Sequence, residues 1–145
     1  MPENPSPTVA PYLLYEDATA ALEWLVNAFG AEERMRIPDA TGAVTHAEVM
    51  IGDGQIMLGA PGGDYQSPAH SGHVHVQVYA YVDDVDSHFE RARAAGATIL
   101  EEPSDQFYGD RRYGVADLEG HHWYFATHVR DVSPEEMQAG ATAGD

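Results

Sequence analysis

The chain has no cysteine among its 145 residues, which excludes disulfide bonds and thiolate metal sites. No apolar run approaches the ~18 residues of a membrane span, and the start MPENPSPTV lacks the basic and apolar parts of a signal peptide. Basic residues are also few, with 7 against 24 acidic ones and a formal charge of −17. Because phosphate binding needs clustered Lys and Arg, nucleic acid and anionic membranes are disfavoured as partners. We therefore expect a soluble, cytoplasmic protein that binds neither.

An internal repeat is the main positive feature of the sequence. Residues 17–30 and residues 83–96 each follow a strand-type run, begin at an aspartate, continue as a helical segment and end at a glycine. The two copies are offset by 66 residues, and the glycine turns at Gly54 and Gly120 repeat with the same offset. Each copy is a unit that cannot bury its apolar face alone, so two paired modules are predicted.

Local patterns predict the same order of elements in both halves. After Asp17 or Thr19 as helix cap, apolar residues recur with helical spacing up to Phe29, and Gly30 supplies the stop. The second helix is predicted over residues 85–95. The predicted strands are residues 9–15, 31–37, 44–51 and 56–60 in the first half, and residues 74–82, 98–101, 112–116 and 123–127 in the second.

These elements predict an α+β fold of two tandem βαβββ modules, residues 9–60 and residues 74–130. Residues 1–8, with three prolines, indicate an extended leader. Residues 61–73 contain turn formers without periodicity, and we expect a mobile linker there. Residues 131–145 form an acidic tail, in which a short helix begins and the last few residues are disordered.

Several segments of this duplicated pattern point to a known superfamily. HAEVMIGDGQIML, YVDDVD, RAAGATI and FYGDRRYGVADLEGHHW, in this order, resemble the vicinal oxygen chelate superfamily of glyoxalase I, bleomycin-resistance proteins and extradiol dioxygenases. The resemblance is strongest to its PhnB-like glyoxalase/bleomycin-resistance branch and covers roughly residues 9–130. It implies curved mixed sheets around a cleft and a homodimer, whereas activity depends on the site rather than the fold.

The resemblance also implies where metal-dependent relatives keep their ligands, on the first and last strands of each module. Counted from the turn and helix landmarks, those positions hold Ala10 (or Pro11 with a register one residue later), Met57, Gln77 and Tyr124. Ala, Met and Tyr are poor donors for a divalent metal, and Gln offers one neutral oxygen. We therefore expect no metal cofactor, and a protein that binds a small organic molecule in the cleft.

Candidate ligand-binding residues follow from these strand positions. Binding cavities are mostly apolar and aromatic with a few orienting polar groups, which suits Tyr12, Met57, Gln77 and Tyr124. Residues 105–112 add a mixed loop in which Arg111 or Arg112 offers a fork to a carboxylate or phosphate. Arg111 is included as a candidate. The alternative for this loop is a structural turn in which Asp110 pairs with an arginine.

A second hypothesis keeps metal chemistry through a relocated site. Strand alternation places His46 and Glu48 on one face, and with His75 and His122 they form a candidate set for one divalent metal ion. The protein would then be a metal-dependent lyase, isomerase or dioxygenase. The competing interpretation is that these histidines make structural hydrogen bonds or lie exposed at strand ends. Whether the protein is an enzyme therefore stays open at this point.

Overall fold

The computed structural model describes residues 7–143, and most of the predicted leader and the last two residues of the tail lie outside the described residues. The strands are β1 (Tyr12–Leu14), β2 (Glu32–Pro38), β3 (Val44–Ile51), β4 (Gly54–Gly59), β5 (Gln77–Tyr81), β6 (Thr98–Asp105), β7 (Asp110–Ala116) and β8 (His122–His128). The helices are α1 (Ala18–Phe29), α2 (Pro68–Ser71), α3 (Val85–Ala94) and α4 (Pro134–Ala143). Among these helices, none is long and apolar enough to cross a bilayer.

The strands form two four-stranded mixed sheets with equivalent topology. The first sheet has the order β1-β4-β3-β2 and the second β5-β8-β7-β6. β1 runs parallel to β4, and β5 runs parallel to β8, whereas all other neighbouring strands are antiparallel. The predicted α+β class and the two tandem modules are thereby confirmed.

Helix α1 begins and ends where the sequence predicts. The Asp17 carboxylate accepts the Ala20 N–H at 3.0 Å, and Gly30 takes the left-handed conformation with φ 69°. One face of α1 is buried, and it packs mainly on β3. Burial of this apolar face is what stabilises a helix of only 12 residues.

The stretch expected to be a mobile linker contains the short helix α2 and is anchored to the first module. The Glu16 carboxylate accepts hydrogen bonds from the backbone N–H of Ser67, from its hydroxyl and from the His70 ring. The two bonds from Ser67, aided by His70, lower the pKa of Glu16 to about 2. Sequence periodicity does not reveal this anchor because it joins residues about fifty positions apart.

The second module holds both ends of α1. At its start, the Glu119 carboxylate accepts the N–H groups of Glu16 and Asp17 at 2.7 and 2.9 Å. At its end, Arg91 donates to the carbonyls of Asn27 and Val26. A carboxylate near the N-terminus and a guanidinium at the C-terminus both complement the helix dipole. Helix α1 of the first module is therefore hydrogen-bonded at both ends to the second module and links the two.

Aromatic side chains fill the core between the modules. Phe29, at the end of α1, packs edge-on against Trp123 and Phe125 of β8, with ring centroids 5.2 and 4.8 Å apart. Beside them, the buried Asp117 carboxylate accepts the Tyr15 hydroxyl at 2.6 Å and the Trp123 indole N–H at 3.1 Å. Residues from both modules thus form one continuous core.

Candidate functional site

Each sheet has one face packed on the helices and one face, here called its open face, that is turned away from them. The helix-side residues of the first sheet, such as Ala47, Val49 and Leu58, are fully buried. The alternate positions carry half-exposed or exposed side chains. On the first open face these are Tyr12, Leu14, His46, Glu48, Met50 and Met57, and on the second they are Gln77, Tyr79, Tyr81, Arg112, His122 and Tyr124.

A hydrogen-bonded chain crosses the first open face. The Tyr12 hydroxyl lies 2.8 Å from Nδ1 of His46, and Nε2 of the same ring lies 3.2 Å from a Glu48 carboxylate oxygen. Tyr12 belongs to β1 and His46 to β3, so the tyrosine reaches across β4. Gly59 makes this crossing possible, because a Cβ at that position would lie 2.6 Å from the Tyr12 ring.

The second open face carries a guanidinium stacked on an aromatic ring. The Arg112 guanidinium carbon lies 4.8 Å from the centre of the Tyr124 ring, and Nη2 lies 3.5 Å from Glu101. Gly114 leaves room for Tyr124, since a Cβ there would approach the ring to 2.7 Å. Burial raises the pKa of Tyr124, and the nearby Glu101 raises it further. Tyr124 is therefore a neutral phenol at physiological pH.

The buried carboxylate of Asp110 fixes the positions of the aromatic side chains at one end of the second open face. Asp110, only 3% exposed, accepts hydrogen bonds from the Tyr79 and Tyr81 hydroxyls and from Nδ1 of His128. Burial alone would raise the pKa of Asp110, but the hydrogen bonds from Tyr79, His128 and Tyr81 together lower it. Hydrogen bonds to Asp131 and Asp110 raise the pKa of His128. These contacts hold both tyrosine rings in place.

The predicted ligand-binding residues divide between the two sheets. Tyr12 and Met57 are register partners on β1 and β4 of the first sheet. Gln77 and Tyr124 lie on β5 and β8 of the second sheet, where Gln77 is the register partner of His122 and Tyr124 that of Tyr79. The structure thus places Tyr12 and Met57 on the first open face and Gln77 and Tyr124 on the second.

Arg111 does not lie with the other candidates. Its guanidinium is bound to Asp86 of α3 at 3.1 Å and to Asp105 at 3.2 Å, on the helix side of the second sheet. The next residue, Arg112, lies on the open face because successive strand residues alternate sides. Arg111 is thus in a structural ion pair, although its partners are Asp86 and Asp105 and not Asp110, which is bound by Tyr79, Tyr81 and His128. Arg112 stacks on Tyr124.

The residues of the alternative metal set are not brought together. His46 and Glu48 are hydrogen-bonded on the first sheet, whereas His122 lies on the second and His75 stacks with His73 at 6.1 Å between ring centroids. Across residues 7–143, no three or more His, Cys, Asp or Glu side chains gather as a metal site would require. Met57, Gln77 and Tyr124, which the family resemblance assigns to ligand positions, are poor donors for a divalent metal.

Sequence reasoning missed a groove along the free edge of β1. It has a volume of about 690 Å³ and lies between β1 and the segment that precedes β5. Its polar lining includes Tyr65, His73, His75 and His121. The Tyr65 hydroxyl and the His121 ring both reach the Leu14 carbonyl, at 2.9 and 2.8 Å. No sequence motif indicates this groove, since its walls come from three distant segments.

Comparison with known proteins agrees with this architecture. Residues 8–125 match the Glyoxalase/Bleomycin resistance protein/Dioxygenase superfamily, and the chain belongs to it. It is 37% identical over 145 residues to the uncharacterized protein Rv0887c of Mycobacterium tuberculosis (strain ATCC 25618 / H37Rv), which covers 97% of this chain and 85% of that protein. The uncharacterized protein Mb0911c of Mycobacterium bovis has the same identity, with 95% of its length covered.

Solved structures show the same fold. TioX from Micromonospora sp. ML1 superposes with a TM-score of 0.71 at 40% sequence identity, covering 86% of this chain and 100% of TioX. The fosfomycin resistance protein FosX from Listeria monocytogenes superposes with a TM-score of 0.62 over 90% of this chain and 95% of its own. At 21% identity, the likeness to FosX establishes the fold alone.

Proposed function

We propose that the protein binds a small organic molecule on the open faces of its sheets, without the divalent metal of the metal-dependent superfamily members. The observation that carries this proposal is the residue chemistry at the four positions that the resemblance assigns to metal ligands, which here hold Ala10, Met57, Gln77 and Tyr124. Met57 offers a polarizable thioether, Tyr124 an aromatic ring and Gln77 an amide that both donates and accepts. Such a surface binds planar organic groups and orients them with few hydrogen bonds.

Ligand binding is expected to depend on Gln77 and Tyr124. A compound identified from an aromatic library by thermal shift, at ~100 times its dissociation constant, should stabilise the protein by about 2.7 kcal/mol. Gln77→Ala and Tyr124→Ala should each reduce this shift, because each removes a contact on the second open face. Gln138→Ala, on the exposed surface of α4, is the matched control and should leave the shift unchanged. A shift that survives both site substitutions would place the ligand elsewhere.

Metal content is expected to be below one ion per chain. Elemental analysis of protein purified without chelator should find substoichiometric Ni, Zn, Mn and Fe, since the inherited positions lack suitable donors. The metal content of the His46→Ala and Glu48→Ala variants is measured in the same way for comparison with the wild-type protein. One tightly held metal per chain that disappears in either variant would instead support a metal-dependent lyase, isomerase or dioxygenase with a relocated site.

We also propose that the protein is a homodimer with a two-fold interface. In the sheet order, β1 and β5 are edge strands, and the open faces of both sheets carry large exposed side chains such as Tyr12, Tyr79 and Tyr81. Unpaired strand edges and exposed apolar surface favour pairing with a second copy. Light scattering at micromolar concentrations should give about twice the chain mass of 15.8 kDa. A monomeric mass across that range would refute this proposal.

A further inference from the structure

The hydrogen-bonded chain on the first open face has a defined direction. An ionised carboxylate such as that of Glu48 only accepts hydrogen bonds, so the contact at 3.2 Å requires a proton on Nε2 of His46. In a neutral imidazole the other nitrogen is then an acceptor. For the neutral ring, Nδ1 of His46 then accepts from the Tyr12 hydroxyl, which lies 2.8 Å away. This order assigns the single hydroxyl proton of Tyr12 to His46.

Packing holds Tyr12 in this arrangement. The Tyr12 ring lies over Gly59, where any larger residue would displace it, and it meets the His46 ring edge-on with centroids 5.4 Å apart. The histidine and glutamate side chains are only 19% and 20% exposed, whereas Tyr12 is 49% exposed. Tyr12 is consequently the most exposed of the three residues, and its hydroxyl is the group that we assign to contact with a ligand on the open face. Because the Tyr12 hydroxyl proton is already donated to His46, the Tyr12 oxygen can only accept a hydrogen bond from a ligand.

We propose that the Tyr12 oxygen makes the first open face selective for ligands that bring a hydrogen-bond donor, such as a hydroxyl or a protonated amine. An ether or carbonyl oxygen at the same position would face lone pairs and lose a hydrogen bond. A net hydrogen bond contributes about 0.5–1.5 kcal/mol, which corresponds to roughly a tenfold preference at its upper end. This inference rests on the proposed binding function and adds the chemical class of the ligand. The formal charge of −17 also favours a protonated amine over an anionic ligand.

Two measurements at pH 8 test the assignment. Nitrogen-15 NMR of the histidine rings, with His46→Gln identifying the His46 signals, should show the tautomer protonated at Nε2. In parallel, titrations should compare 1-naphthol with 1-methoxynaphthalene, which share the ring system and differ in whether the oxygen can donate. The wild-type protein should bind 1-naphthol about two- to tenfold more tightly. Tyr12→Phe, which keeps the ring, should bind both probes equally.

Gly59→Ala is the second variant, because it keeps the Tyr12 hydroxyl but displaces the ring that carries it. It should also lose the preference for 1-naphthol. A His46 ring protonated at Nδ1, or equal binding of the two probes by the wild-type protein, would overturn this inference while leaving the proposed binding function standing. Binding of neither probe would count against both the proposed function and the selectivity.

Discussion

Replacing Asp117 by alanine is expected to destabilise the protein by about 3–5 kcal/mol, because two buried and two partly buried donors lose their acceptor at once. For a chain of this size the loss corresponds to a fall in melting temperature of roughly 10–15 °C. Chemical denaturation followed by circular dichroism measures the change in the free energy of unfolding directly. The effect should be among the largest of any single substitution in this chain.

The size of this effect follows from the position of Asp117 between the modules. The side chain is 5% exposed, and one oxygen accepts from Tyr15 of the first module and from Trp123 of the second. Its other oxygen accepts the backbone N–H groups of Glu119 and His121. Burial and the neighbouring Asp117 charge raise the pKa of Tyr15, so the tyrosine remains a protonated donor. Alanine would leave the Tyr15 hydroxyl and the Trp123 indole N–H without partners in the core.

Three variants separate this network from a simple loss of charge. Asp117→Asn keeps the shape but has one acceptor oxygen instead of two, so it should recover only part of the stability. Tyr15→Phe removes one bond to a charged group and should cost about 1.5–3 kcal/mol. Asp53→Ala changes the net charge equally at the exposed β3–β4 turn. If Asp117→Ala were no less stable than Asp53→Ala, the carboxylate would not be joining the modules.

Replacing Phe29 by alanine is expected to cost about 3–5 kcal/mol, since it leaves a cavity in the shared core. Phe29 is 3% exposed and contacts Trp24 on its own helix as well as Trp123 and Phe125 of the other module. Edge-to-face aromatic pairs of this kind contribute about 0.5–1.5 kcal/mol beyond burial. Urea unfolding of the variant measures the total loss.

The tryptophans allow a sharper test of how Phe29 couples the modules. Trp24 belongs to the first module and Trp123 to the second, so Trp24→Phe yields a protein whose fluorescence reports only the second module. In that background the fluorescence and circular dichroism transitions should coincide, because the core is shared.

The matched control for Phe29→Ala is Phe107→Ala, which makes the same chemical change at a residue 40% exposed and should cost about 0.5 kcal/mol. Similar losses for Phe29→Ala and Phe107→Ala would contradict the proposed role of Phe29.

Much of the fold could be predicted because its signals are local. The cap at Asp17 and the stop at Gly30 mark α1 through hydrogen bonds and backbone angles that depend on a few neighbouring residues. Helix α3 starts at Val85 as predicted and ends at Ala94, one residue before the predicted end at residue 95. Strand ends were less accurate, and β6 extends to Asp105 rather than residue 101. Its extra length comes from pairing with β7, which is a contact between segments and not a local preference.

The candidate site was less predictable, because a site depends on which face of a strand meets which neighbour. Arg111 and Arg112 are equivalent as residue types, yet one is bound to α3 and the other stacks on Tyr124. The link between Tyr12 and His46 joins strands that are not adjacent in the sheet. A glycine inside a strand, as at Gly59 and Gly114, is the one sequence signal that indicates such close crossings.

By itself, the sequence determined the duplication and the order of helices and strands, since these follow from residue types and their spacing. Tertiary structure alone decided that α1 is held at both ends by the second module, that Asp117 joins the modules and that Tyr12 lies within hydrogen-bonding distance of His46. The physical reason is that a hydrogen bond or a packing contact needs two groups at short range. Residues 34 to 103 positions apart reach that range only when the sheets have formed.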